Sequence, residues 1–140
     1  MCWGDGDYGQ LGAGTEEGSI TSVSVENLTS TATHLAMGAY QGCARLADAT
    51  AACWGSNRFG QLGDGTRERR STAVSVKGLG GPVRDVAAGA SFSCALLVNG
   101  RVQCWGSNVF GELGSGGAKP DPAAQFPLFP KETVSPRAKI

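Results

Sequence analysis

The chain has 140 residues, 22 of them glycine, with 12 basic and 12 acidic side chains that cancel. That length holds one ordinary domain, the glycine share is more than twice the usual one, and no stretch keeps a 3.6-residue apolar period without interruption, so a helical bundle is excluded. The charge balance gives no footprint for nucleic acid or an anionic surface, no apolar run approaches the roughly 18 residues of a membrane span, and no secretory signal is visible.

The chain opens on "CWGDGDYGQLGAGT", in which Gly4, Gly6 and Gly9 satisfy G-x-G-x-x-G and Asp5 and Asp7 suggest a calcium loop. Both readings fail against the rest of the sequence. The segment returns as "CWGSNRFGQLGDGT" at Cys53 and "CWGSNVFGELGSGG" at Cys104, a step of 51 residues each time. The middle glycine becomes Asn57 and Asn108, and Asp5 and Asp7 become Ser56 and Arg58, then Ser107 and Val109. A dinucleotide fingerprint needs that glycine and a following helix, and calcium needs several oxygen ligands. What persists is Trp-Gly, an aromatic, Gly, Gln or Glu, Leu, Gly. The shared requirement is read as a turn shape, with Gly6, Asn57 and Asn108 tolerating positive φ.

Next come "TSVSVENL" (21–28) and "LAMGAYQGCARL" (35–46), which match "TAVSVKGL" (72–79) and "VAAGASFSCALL" (86–97). The stretch 91–106 reads as a hairpin turning at Asn99-Gly100, with Phe92, Cys94, Leu96 and Val98 on one face and Ala95 and Leu97 on the other. Two apolar faces call for cover on both sides. The earlier hairpin has Ala49 in place of that glycine, which predicts a less well specified turn. Each repeat thus offers about four short strands, the signature of a propeller blade. A single small sheet cannot bury both faces, so the core should lie between neighbouring sheets. Small residues in "AMGA" and "AAGA" mark close strand approach near an axis. Trp3, Trp54 and Trp105, with Leu11, Leu62 and Leu113, form the expected repeated core, each tryptophan filling the gap between blades.

"CWGSNRFGQLGDGT" followed by "VSVKGLGGPVRDVAAGASFSCALLVNGRVQCWG" resembles the regulator of chromosome condensation repeat, and more closely its bacterial, cysteine-bearing version. The likeness covers residues 2 to about 117. It implies a seven-bladed β-propeller. Family members include a guanine nucleotide exchanger, scaffolds, protein binders and inhibitors that dock a propeller face. Gln41 and Phe92 stand where the family often has histidine, and nothing in the chain matches a dedicated exchange surface. The implied organisation is all-β: repeats over 1–117, divided as 2–52, 53–103 and a partial 104–117. The Pro-rich stretch 118–140 is expected to be irregular, although "AQFPLF" (124–129) could replace "TAVSVKG" as a strand or serve as a short binding motif. Seven such blades need about 350 residues, so the expectation is part of a longer propeller whose further blades come from flanking sequence or self-association.

Cys43 and Cys53, and Cys94 and Cys104, are each ten residues apart around a hairpin tip, so their sulfurs could face across adjacent strands. They could form disulfides in an oxidising compartment or remain small buried thiols. The disulfide reading is adopted, and with it a bacterial extracytoplasmic or cell-surface location. Zinc is disfavoured by the single histidine and the absence of C-x-x-C. No cofactor is implied. No catalytic constellation emerges: His34 is replaced by Asp85 in the next repeat, and Glu16 and Glu17 become Arg67 and Glu68. The variable loop Arg67, Glu68, Arg69, Arg70 is the candidate docking surface for an acidic protein partner. The function expected is a non-enzymatic interaction scaffold. The alternative is an enzyme regulator, acting by nucleotide exchange or as a docking inhibitor, and carbohydrate binding at a blade edge is a third class.

Overall fold

The computed structural model describes residues 1–114 and the backbone of 121–125. Ten strands and no helix are found there: β1 (Cys2–Gly4), β2 (Ser19–Val23), β3 (Ala32–Met37), β4 (Gln41–Leu46), β5 (Ala51–Gly55), β6 (Arg70–Ser75), β7 (Val83–Ala88), β8 (Phe92–Leu97), β9 (Val102–Gly106) and β10 (Asp121–Gln125). They make three antiparallel sheets, β1-β2, β3-β4-β5-β6 and β7-β8-β9-β10. Each four-stranded sheet is a meander, built from neighbouring strands joined by tight turns. The 51-residue translation maps β3 to β6 onto β7 to β10, and β1-β2 onto β5-β6.

Two boundaries differ from the sequence reading. The sheets are 32–75 and 83–125, so divisions at Cys53 and Cys104 fall inside sheets, at their third strands. A periodic sequence fixes the period but not the phase, and the cysteine-tryptophan signature happens to lie in the third strand. Secondly, within the stretch expected to be irregular, residues 121–125 pair antiparallel with β9, Asp121 opposite Gly106 and Gln125 opposite Cys104. This is the outermost strand, where Pro122 is tolerated because one row of backbone groups is unpaired. It sits 51 residues after β6, so the backbone repeat outlasts the side-chain pattern. The remaining residues of that stretch, including Phe126, Leu128 and Phe129, lie outside the described residues.

The hairpin tips explain themselves. Leu46 N–H donates to Thr50 O at 2.9 Å, and Leu97 N–H to Arg101 O at 2.8 Å, each closing a three-residue loop. The third loop residue is left-handed in both, Ala49 at φ 65° and Gly100 at φ 85°. Alanine therefore holds the shape that glycine holds freely. Asp48 compensates: its Oδ1 accepts from Thr50 N and Thr50 Oγ1, at 3.1 and 2.6 Å.

The core lies between the two larger sheets, as stacked units require. Cys43, Ala51, Cys53 and Leu62 of one side meet Val83, Val86, Ala95, Leu97 and Trp105 of the next. Strand β7 packs on both β3 and β4, with "AMGA" and "AAGA" at their ends, and Ala39 N–H donates to Ala90 O. A smaller cluster of Ala44, Leu46, Ala52, Trp54 and Ala73 lies toward β1-β2. The far face of the third sheet is not covered by described residues. Asp85, Ala87, Cys94, Leu96 and Val102 line a shallow apolar depression of about 180 Å³ there. The hairpin 91–106 is thus covered on its Ser93, Ala95 and Leu97 side and open on the other.

Candidate functional site: the loop rim

The loops 5–18, 38–40, 56–69 and 89–91 and the turn after Gly106 gather on one rim, tied by Ser56 N–H to Tyr40 O and Ser107 N–H to Ser91 O, both 2.8 Å. The long loop after β5 is organised by a side chain rather than by a left-handed residue. Asn57 is fully buried and is not at positive φ, and neither are Gly6 and Asn108, contrary to the sequence reading. Asn57 Nδ2 reaches Asp64 Oδ1, Thr66 O and Glu68 O at 3.1, 3.1 and 2.8 Å, while its Oδ1 accepts from Leu62 N–H at 3.0 Å. Asn108 Oδ1 accepts from Leu113 N–H in the same way. Gly6 replaces this hub by close backbone approach: a Cβ there would collide with Glu17 O. The left-handed positions are instead the glycines of the following turn, such as Gly12 and Gly63 at φ 69°.

Those glycines seat the tryptophans. Trp54 Nε1 donates to Gln10 O and Trp105 Nε1 to Gln61 O, both at 2.9 Å, and both indoles are fully buried. A Cβ on Gly12 would lie 2.9 Å from Trp54 Cδ1, and one on Gly63 2.7 Å from Trp105 Nε1. Leu11, Leu62 and Leu113 are buried beside these turns. Trp3 departs from its copies: it is 68 % exposed and fills no gap between described sheets, because no described turn is placed to receive it.

The arginine loop is only partly a free basic surface. Arg69 pairs with Glu16 at 3.1 Å, and Arg70 with Asp64 at 3.1 Å and Glu68 at 3.6 Å. Arg67 has no acidic partner among the described residues, and Arg58 lies 5.7 Å over the Phe59 ring. Burial alone would raise the Asp64 pKa. Hydrogen bonds from Thr66 and Asn57 and the Arg70 guanidinium outweigh it and hold the carboxyl below its ordinary value. Sequence reasoning missed the aromatic part of this rim. Tyr8 and Tyr40 rest ring to ring at 4.7 Å and both are exposed, as are Val109 and Phe110, the latter 91 % exposed. The signal was available in the aromatic retained at positions 8, 59 and 110, but it was read as part of a turn.

The cysteines lie opposite one another in register, Cys43 with Cys53 and Cys94 with Cys104, each pair 4.1 Å apart at Cα and at disulfide-bonding distance, while Cys2 is unpaired. His34 is exposed on β3 beside Thr33 Oγ1. No group of three His, Cys, Asp or Glu side chains among the described residues could hold a metal. No described helix is long and apolar enough to cross a membrane.

Stacked four-stranded antiparallel meanders related by a constant translation in sequence are blades of a β-propeller. Their family is that of the regulator of chromosome condensation (RCC1) repeat, whose models match residues 53–96 and 83–112; the chain belongs to this RCC1-type repeat family. It is similar to the E3 ubiquitin-protein ligase HERC2 of Homo sapiens, 36% identical over 124 residues, which cover 83% of this chain and 3% of that protein. It is also similar to the ultraviolet-B receptor UVR8 of Arabidopsis thaliana, 31% identical over 81% of this chain and 27% of the receptor. Among solved structures, yeast RCC1 (Prp20) bound to Kap60 superposes with TM-score 0.77 at 26% identity, covering 93% of this chain and 34% of that one. Human WBSCR16 gives TM-score 0.77 at 21% identity, over 91% and 34%, a likeness of fold. The chain therefore spans about a third or less of these relatives.

Proposed function

We propose that this chain is a non-enzymatic interaction scaffold that docks a protein on its loop rim. The observation that carries this reading is the gathering of exposed Tyr8, Tyr40, Val109 and Phe110 with Arg58 and Arg67 on one edge of the sheets. Tyrosine and arginine are the side chains that dominate protein interfaces, and exposed apolar groups clustered together mark such surfaces. Yeast Prp20, a structural neighbour, has been solved bound to Kap60, and a further structure of it is described with its binding to Gsp1p and histones. That is consistent with a protein partner here. The cysteine pairs support an oxidising compartment.

The test uses a protein isolated on the wild-type chain. The double reversal Arg58→Glu/Arg67→Glu should weaken its binding at least about tenfold. Lys77→Glu/Arg84→Glu, on the other rim and outer strands, should leave it unchanged. Equal binding to all three proteins removes the rim from consideration. A second reading, regulation of an enzyme, is favoured only by the family resemblance. Accelerated release of guanine nucleotide from a small GTPase in the presence of the chain would support it.

A further inference from the structure

The same contact is made twice inside this chain, and its two halves recur at opposite ends without each other. In each internal copy an indole N–H donates to the carbonyl of the Gln in a Gln-Leu-Gly turn, and the ring lies against the turn's left-handed glycine. The third turn, Glu112-Leu113-Gly114, has the same build: Gly114 is left-handed at φ 66°, Leu113 is buried, and Asn108 anchors Leu113 N–H as Asn57 anchors Leu62 N–H. No indole rests on it among the described residues. At the other end Trp3 follows Cys2 on β1, as Trp54 follows Cys53 and Trp105 follows Cys104, yet it is 68 % exposed where its copies are 0 %.

We propose that Glu112–Gly114 is a seat for a tryptophan, and that Trp3 of a second copy of this chain fills it, head to tail. The seat continues the internal interfaces, so the occupant is defined by the fold: an indole on the third strand of a like sheet, with its N–H aimed at the Glu112 carbonyl. Two more observations match. The third sheet presents an open apolar face next to the seat, lined by Ala87, Cys94, Leu96 and Val102. On the opposite side Leu35 is 58 % exposed, whereas Val86, its equivalent, is 8 % exposed under a neighbouring sheet. The contact uses different patches on the two copies, so it is heterologous and propagates beyond a dimer unless the rotation closes a ring. This inference rests on packing between repeats and not on the rim's partner, so either can fail alone.

The test is a complementation of two variants of the full chain by analytical ultracentrifugation. Trp3→Ser removes the indole from an exposed site. Gly114→Asn keeps a residue that accepts positive φ while its Cβ fills the seat. Far-UV circular dichroism should show both folded as wild type. Wild-type protein should grow beyond a dimer with concentration. Each variant alone should associate about tenfold or more weakly. Their mixture should form a 1:1 dimer and stop there, because only one intact indole meets one intact seat. A wild-type monomer across the range, a variant that associates as wild type does, or a mixture that stays monomeric overturns the proposal. Should Gly114→Asn misfold, iodide quenching decides instead. Trp3 emission in the wild type should become protected as concentration rises, and protection that does not change overturns the proposal equally.

Discussion

Three tryptophans occupy one motif, and the structure assigns them very different energetic weights. Trp105 is fully enclosed between sheets, with its N–H on Gln61 O at 2.9 Å. Truncation to alanine removes the largest buried side chain of the main core and leaves a cavity, which costs about 3–5 kcal/mol. It also leaves the Gln61 carbonyl with one donor fewer, although Ser93 Oγ still donates to it at 2.8 Å, so that part adds less than about 1 kcal/mol. Trp3→Ala removes a ring that is 68 % exposed, and should fall within about 0.5 kcal/mol, as surface changes do. The assay is urea unfolding followed by far-UV circular dichroism, since fluorescence would lose its probe, at a concentration low enough that the chain is monomeric. The expected result is a midpoint lowered strongly for Trp105→Ala and hardly at all for Trp3→Ala. Equal shifts for the two variants would refute the packing argument.

Other consequences can be measured on the same protein. Asn57→Ala removes a buried side chain that satisfies Leu62 N–H, Thr66 O and Glu68 O. It should cost about 2–4 kcal/mol in urea unfolding, and amide exchange should rise first in residues 57–68. Ala49→Gly relieves a left-handed alanine and should raise the unfolding midpoint by up to about 1 kcal/mol, the relief exceeding the added entropy of the unfolded chain. Asp64 has a lowered pKa when folded, so its contribution is present above the ordinary carboxylate range and is lost as pH falls below about 4. Unfolding midpoints of wild type and Asp64→Asn should converge in acid and differ at neutral pH, with wild type the more stable. Alkylation of unreduced, denatured protein should label Cys2 alone, and reduction should lower stability by roughly 2–3 kcal/mol per bridge.

Much of the architecture was legible because it repeats. A strand reads by alternation only weakly, but "TSVSVENL" and "TAVSVKGL" at a fixed distance cannot be accidental, and the hairpin around Asn99-Gly100 carried its own turn chemistry. Phase was not legible, since a translation has no origin. Nor was β10, whose role is backbone pairing on an outer strand and places little demand on side-chain type. The error at Asn57 has a similar root: asparagine serves both left-handed backbone and side-chain capping, and only the buried loop around it shows which. The exposure of Trp3 could not be read from its motif, because burial depends on what lies across the gap. The exposed aromatics of the rim were hidden inside the repeat signature, where Tyr8 and Phe110 look the same as the half-covered Phe59.

The stacking of like sheets is tested most directly by hydrogen exchange at the three indole N–H groups, resolved by nitrogen-15 NMR of the Gly114→Asn variant, which holds the chain monomeric. Trp54 and Trp105 should exchange slowly, at rates tracking unfolding, while Trp3 exchanges at close to the free rate. Three fast indoles, or protection at Trp3 equal to that at the other two, would contradict an account in which each tryptophan is buried only by the turn of the neighbouring repeat.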